Sequence, residues 1–291
     1  MAAPNYEQVQ SFGNVTRQLK QASINEFLQN IADGMTVDEI MSVAARIAEK
    51  YKRLGAELGA QWYDLCTELA GIKADPAFVG NVDGEAVEGR AQAYANRARS
   101  ENLSHGGNAD TLAEFARHVF EEFLQNEINE SIRTTGKANL WRDYERGLAP
   151  GKWARVPQGP TCAWCIMLAS NGAWYLTRES ALGDTQDHYH DGCDCIAVYH
   201  ADAESINGYT ELAGYKRMYY AAENRRIANK NGKDPYPDDL KLRISTAKRK
   251  HEERERKREE EAAERGEEYK KKPWTQYNED MILMREMYGL K

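Results

Sequence analysis

The sequence lacks any long hydrophobic run, because no stretch approaches the roughly 18 consecutive apolar residues of a membrane-spanning helix. Its first residues, Met1 to Gln8, contain neither a basic leader nor an apolar segment, so we expect a protein made and kept in a reducing compartment. It also lacks a basic excess, since the formal net charge of its 291 residues is −7. This charge argues against a general nucleic-acid binder.

Common enzyme signatures are also missing. The chain contains no His-Glu-x-x-His, no Gly-x-Ser-x-Gly and no Gly-rich phosphate-binding loop. Cysteine is scarce and clustered: four of the five cysteines lie between Gly159 and Tyr199, and Cys66 stands apart. Two short cysteine motifs in a reducing compartment favour a metal or redox site over a disulfide framework. We expect Cys66 to be a core thiol.

The clustered cysteines belong to two motifs with the spacing of metal ligands. Cys162-Ala-Trp-Cys165 is followed by His188-Tyr-His-Asp-Gly-Cys-Asp-Cys195. Zn²⁺ takes four ligands from thiolate sulfur and imidazole nitrogen, and the two motifs offer six. The predicted ligands are Cys162, Cys165 and Cys193, with His190 or Cys195 as the fourth, whereas His188 is expected to be exposed.

Two enzymatic alternatives use the same residues. In the first, Cys162 or Cys165 is a nucleophile paired with His188 or His190, and Asp187 or Asp191 orients the imidazole. In the second, a catalytic zinc keeps a position open for water, and Glu179 or Asp187 acts as base. A nucleophilic cysteine does not need three neighbouring thiols, and a bound metal would quench it. We therefore predict a structural zinc site without catalytic residues.

The first 146 residues are predicted to be helical. Apolar residues at helical spacing indicate four helices, and Thr36-Val-Asp-Glu39 has the form of a capping box. The predicted helices cover residues 6–31, 36–71 and 85–99, with a fourth from Asp110 that ends before Gly136.

Residues 147–207 have the pattern of a small α+β module. The predicted strands are 152–156, 173–176 and 195–199, and residues 163–170 form a short helix. Three short strands bury little apolar area, so a metal that joins the ends of the module would stabilise it. The cysteine motifs lie just after the first predicted strand and just before the third.

The remaining chain is predicted to contain a helix and linker over 208–238 and a long charged helix with an apolar end over 239–291. Residues 248–272 include 11 Lys or Arg and 9 Asp or Glu, a composition typical of a solvated helix. We expect Pro273 to stop this helix and the apolar segment after it to need a partner, in cis or in trans. The predicted class is therefore α+β, predominantly α.

The segment Val156–Tyr175, followed by His190-Asp-Gly-Cys-Asp-Cys195, resembles the MuF-like minor head proteins of tailed bacteriophages, particularly those of actinobacteria. The resemblance implies a structural protein carried inside the head near the portal vertex and assembled in the host cytoplasm. It implies the portal protein and the major capsid or scaffolding protein as partners, with packaged DNA reached through the C-terminal tail and no membrane. The family's motif falls on Cys162, Cys165, His190, Cys193 and Cys195, which implies a metal site.

The sequence departs from the family in one respect: His-Asp-Gly-Cys stands where many relatives have Pro after the His. Some members are labelled capsid maturation proteases and others carry C-terminal toxin domains. Here no protease constellation is present, and the tail after Asn207 is too charged and helical to resemble a toxin domain. We predict a non-enzymatic minor capsid protein that acts in head assembly, DNA packaging or ejection. The alternative is a maturation protease or another Cys- or Zn-dependent hydrolase.

Overall fold

A computed structural model of the protein describes residues 2–159, 161–172, 174–175 and 193–290. These residues form two compact units, one comprising 1–159 with 172–209 and the other 160–171 with 210–291. Long helices dominate both, and the first also contains a small sheet. The predicted class, α+β and mostly helical, is confirmed. The four-part division expected from composition stays a prediction.

Four long helices build the first unit: α1 (Tyr6–Asn30), α2 (Val37–Leu69), α3 (Gly84–Ser104) and α4 (Ala109–Glu145). The predicted capping box starts α2. The Thr36 hydroxyl accepts from the backbone N–H of Glu39, and the Glu39 carboxylate accepts from that of Thr36 at 2.7 Å. This reciprocal pair satisfies two of the donors that a helix start leaves unpaired.

Helix α4 extends nine residues beyond Gly136, so the prediction that it ends before this glycine was wrong. The reason is packing. A Cβ atom at position 136 would overlap the Tyr199 side chain, so only glycine lets α4 approach the sheet this closely. Gly136 is therefore a contact point inside a helix and not a stop signal.

The sheet has three antiparallel strands in the order β2-β1-β3, where β1 is Lys152–Val156, β2 is Trp174–Tyr175 and β3 is Ile196–Tyr199. Trp153 of β1 is paired with both Trp174 and Tyr199. All of β3 is buried, and the indole N–H of Trp62 on α2 donates to the carbonyl oxygen of Ala197 at 2.7 Å. The three strands were predicted, although residues 173 and 176 lie outside the described chain.

The second unit contains helices α5 (Ala163–Ser170), α6 (Glu211–Lys230), α7 (Asp238–Glu264) and α8 (Gln276–Tyr288). Helix α8 packs against α6 and α5 and buries Leu283 and Met284 completely. Asp280, also fully buried, accepts from the Arg226 guanidinium of α6 at 2.7 Å. The terminal apolar segment thus finds its partner in cis.

The charged helix α7 ends at Glu264, eight residues before the end predicted from composition. Gly266 has a φ of 71°, and the N–H of Glu267 donates to the carbonyl of Ala262 at 2.9 Å, which reverses the chain. Residues 267–275 then return along α7. Glu255, only 4% exposed, accepts from the Tyr269 hydroxyl at 2.9 Å and the Lys272 N–H at 2.7 Å. Composition did not reveal this hidden carboxylate.

Candidate metal centre

The Cys193-Asp194-Cys195 turn lies directly before β3 and is buried at both cysteines, which are 2% and 6% exposed. Two side chains of α4 hold its first peptide group. Asn129 Nδ2 donates to the Cys193 carbonyl oxygen at 3.1 Å, and Arg133 Nη1 donates to the same oxygen at 3.2 Å. From α1, Lys20 Nζ lies 2.6 Å from Asp194 Oδ1. Two helices therefore fix this short segment.

The helix face beside this turn is electropositive. Arg155 of β1 is completely buried and Lys137 of α4 is 2% exposed. Burial, and then repulsion by Arg133 and Arg155, lowers the pKa of Lys137 to about 7. Positive charge near cysteine favours the thiolate, which is the form that binds metal.

The first cysteine motif lies at the start of α5. Cys162 is the N-cap residue, and its Sγ accepts from the backbone N–H of Cys165 at 3.4 Å. Cys165 itself is 2% exposed. A helix start directs N–H groups at the capping atom, so this position also favours a thiolate at Cys162.

Within the described chain, the sulfur atoms of Cys165, Cys193 and Cys195 all lie within 4.8 Å of one another. Four thiolates around zinc at about 2.3 Å have sulfur–sulfur distances of about 3.8 Å, so this spacing fits a shared metal. Three buried thiols are a soft donor set. The group could hold a metal ion, as the sequence indicated. Cys162 is not a member of this trio, and its role as a ligand stays a prediction.

The predicted histidine partners lie outside the described residues. These include His190, proposed as the fourth ligand, and His188. Asp187, Asp191 and Glu179, which the enzymatic alternatives require, also lie there. Those assignments stay predictions.

Cys66 differs from the clustered cysteines. It is completely buried on α2, and burial raises its pKa to about 12. A neutral, inaccessible thiol neither attacks a substrate nor binds metal readily. The expectation of a core thiol is confirmed.

Three side chains beside the cysteines were missed by sequence reasoning: Lys20, Asn129 and Arg133. They lie between 60 and 174 positions from the residues that they contact. Each also sits in an ordinary amphipathic helix, where a polar residue carries no special signal. Only the packing of α1 and α4 against the turn reveals them.

Comparison with known proteins gives two matches. The model of the VG15 protein family matches residues 3–222. The Gene 15 protein of Mycobacterium phage D29 is 34% identical over 83 residues, which cover 19% of this chain and 30% of that protein. The chain thus spans less than a third of the length of this relative. No solved structure matches with significance.

In the described chain, no helix is both long and apolar enough to cross a membrane. The VG15 match extends from before α1 to within α6 and includes every cysteine. Because it covers well over half of the sequence, and because the Gene 15 relative is a phage protein, the chain belongs to the phage-encoded VG15 protein family.

Proposed function

We propose that this protein is a structural minor capsid protein of a tailed phage, similar to the MuF-like head proteins. It acts inside the head near the portal, in head assembly or in DNA packaging or ejection. The observation that carries the proposal is the buried trio Cys165, Cys193 and Cys195 in a protein of a phage family. The same cysteines belong to the motif that resembles the MuF-like proteins.

The metal in this proposal is a structural zinc. Cys165, Cys193 and Cys195 supply three ligands, and Cys162 or His190 completes the set. Zinc with four protein ligands has no open position for water and therefore serves as a cross-link. Such a cross-link suits a sheet of three short strands, which buries little apolar area by itself.

The proposed partners are the portal protein and the major capsid or scaffolding protein. Packaged DNA is a further partner through α7 and its return segment. On α7, cations alternate with carboxylates, as in the pairs Arg256–Glu260 at 3.7 Å and Lys257–Glu261 at 3.6 Å. These exposed pairs partly neutralise the helix, so contact with DNA phosphates is weak and sensitive to salt.

Metal content tests the site. The full chain, purified without chelator, should contain about one zinc per molecule by mass spectrometry. Cys193→Ser should lose it, and Cys66→Ser, a matched change at a buried cysteine outside the trio, should keep it. A metal-free wild-type protein whose clustered thiols react freely would refute the zinc site.

Complementation of a phage that lacks the gene tests the role in the head. Cys193→Ser should reduce incorporation of the protein into virions while the major capsid protein is processed normally. Normal incorporation together with uncleaved capsid protein would instead support the maturation protease. Absence of the wild-type protein from purified virions would refute the location in the head, whatever the zinc content.

A further inference from the structure

The Cys193-Asp194-Cys195 turn is held by three hydrogen bonds that do not involve either sulfur. Two reach the carbonyl oxygen of Cys193 and one reaches the carboxylate of Asp194. All donors are side chains of α1 and α4, and all belong to the first compact unit. The arrangement therefore exists without any contribution from a metal.

The Cys193 carbonyl has both of its acceptor positions filled. Asn129 and Arg133 lie four residues apart on α4 and so share one helix face. They donate to this oxygen at 3.1 and 3.2 Å, which fixes the peptide plane that follows Cys193. Arg133 also brings a positive charge next to a ligand residue, where zinc with three or four thiolates carries a net charge of −1 or −2.

The contact of Lys20 anchors the middle of the turn. The Lys20 side chain is only 7% exposed, and its ammonium group lies 2.6 Å from Asp194 Oδ1. A lysine at this depth loses most of its hydration, so the carboxylate partner replaces the water. Because the Asp194 side chain is 48% exposed, the pair binds the turn to α1 from its outer side.

We propose that Lys20, Asn129 and Arg133 are positioning residues that hold Cys193 and Cys195 ready for metal before the metal arrives. The inference rests on the proposed zinc site. Outer hydrogen bonds of this kind orient the ligands of metal centres, and their loss costs roughly 10- to 100-fold in metal affinity. The cysteine turn is thus the pre-formed half of the site.

The first test is zinc affinity, measured on the full chain by competition with a chromophoric chelator. Lys20→Met and Asn129→Ala should each weaken zinc binding by about 10-fold or more. Lys20→Arg keeps a cationic donor and should recover part of the loss. Lys50→Met is the matched control, because Lys50 also forms an ion pair, with Glu26, but away from the cysteines.

The second test needs no metal. In chelator-treated protein, alkylation of Cys193 and Cys195, followed by mass spectrometry, should be faster in Lys20→Met than in Lys50→Met. The absorption of Co²⁺-loaded Lys20→Met should still show the wild-type number of thiolate ligands, since Lys20 orients ligands and does not supply one. Circular dichroism confirms that each variant folds.

The outcomes separate the two proposals. A wild-type chain that binds no zinc refutes the metal site itself. A wild-type chain that binds zinc, with unchanged affinity and unchanged alkylation in both Lys20→Met and Asn129→Ala, refutes the positioning role alone. If Lys20→Met fails to fold, Asn129→Ala decides the question.

Discussion

Gly59→Ala should destabilise the protein, because Gly59 is where α2 and α4 approach most closely. An added Cβ would lie 2.5 Å from the Ile132 carbonyl oxygen and 2.9 Å from Ile132 Cα. Both atoms belong to the backbone of a long helix, so neither can rotate away. Ordinary contact requires about 3.4 Å or more, so the two helices must separate by roughly 1 Å.

Two effects oppose each other in this variant. Alanine in a helix interior is favoured over glycine by about 1 kcal/mol. Overpacking a tight contact costs about 1–3 kcal/mol, and separation of α2 from α4 also loosens the apolar residues between them. We therefore expect a net loss of about 1–2 kcal/mol in the free energy of unfolding. Urea denaturation followed by circular dichroism gives this difference, provided that the dependence on urea is unchanged.

Gly89→Ala provides the control. Gly89 also lies within a helix, α3, but an added Cβ there meets no atom within 4 Å. Only the propensity term acts at this position, so this variant should gain up to about 1 kcal/mol. If Gly59→Ala were as stable as Gly89→Ala, the close approach of α2 and α4 described above would be incorrect.

Two further predictions concern buried polar groups. His200 is 4% exposed, and burial lowers its pKa to about 4 against the opposing attraction of Asp143. The unfolded chain then binds a proton before the folded one does, so stability falls as the pH drops from about 6.5 to about 4, by roughly 3 kcal/mol in total. His200→Gln should show a shallower acid loss in thermal melts than the exposed control His105→Gln, and equal slopes would contradict this. Glu255→Gln removes the charge that accepts from Tyr269 and Lys272 and should speed proteolysis within 267–275, whereas the exposed control Glu253→Gln should not. Equal cleavage of both variants would show that Glu255 does not hold the return segment.

Local signals predicted local structure well. The capping box at Thr36, the short helix over 163–170 and the three strands all follow from neighbouring residues, and all are present in the structure. Gly136 was misjudged because its meaning depends on Tyr199, 63 positions away. The end of the charged helix was misjudged for a similar reason. The partners of Glu255 lie after the turn, where composition shows only more charge.

The metal site was predictable only in part. Cysteine is rare enough that its spacing alone identified the candidate ligands, and the trio Cys165, Cys193 and Cys195 agrees with that reading. Spacing could not rank the candidates, because Cys162 forms a helix cap, a role that the pattern does not distinguish from metal binding. Nor could it reveal the supporting side chains, which reach the turn from distant helices.

The two ends of the first unit meet at one place. The N–H of Tyr6, at the start of α1, donates to the carbonyl of Asn207 at 2.8 Å, and the Tyr6 ring stacks on Tyr209 with centroids 5.1 Å apart. Tension applied between Asn5 and Thr210 is therefore borne first by this clasp and does not pull through α2, α4 or the sheet. A head protein built in this way can be tugged by whatever follows residue 209 while its cysteine turn stays mechanically unloaded.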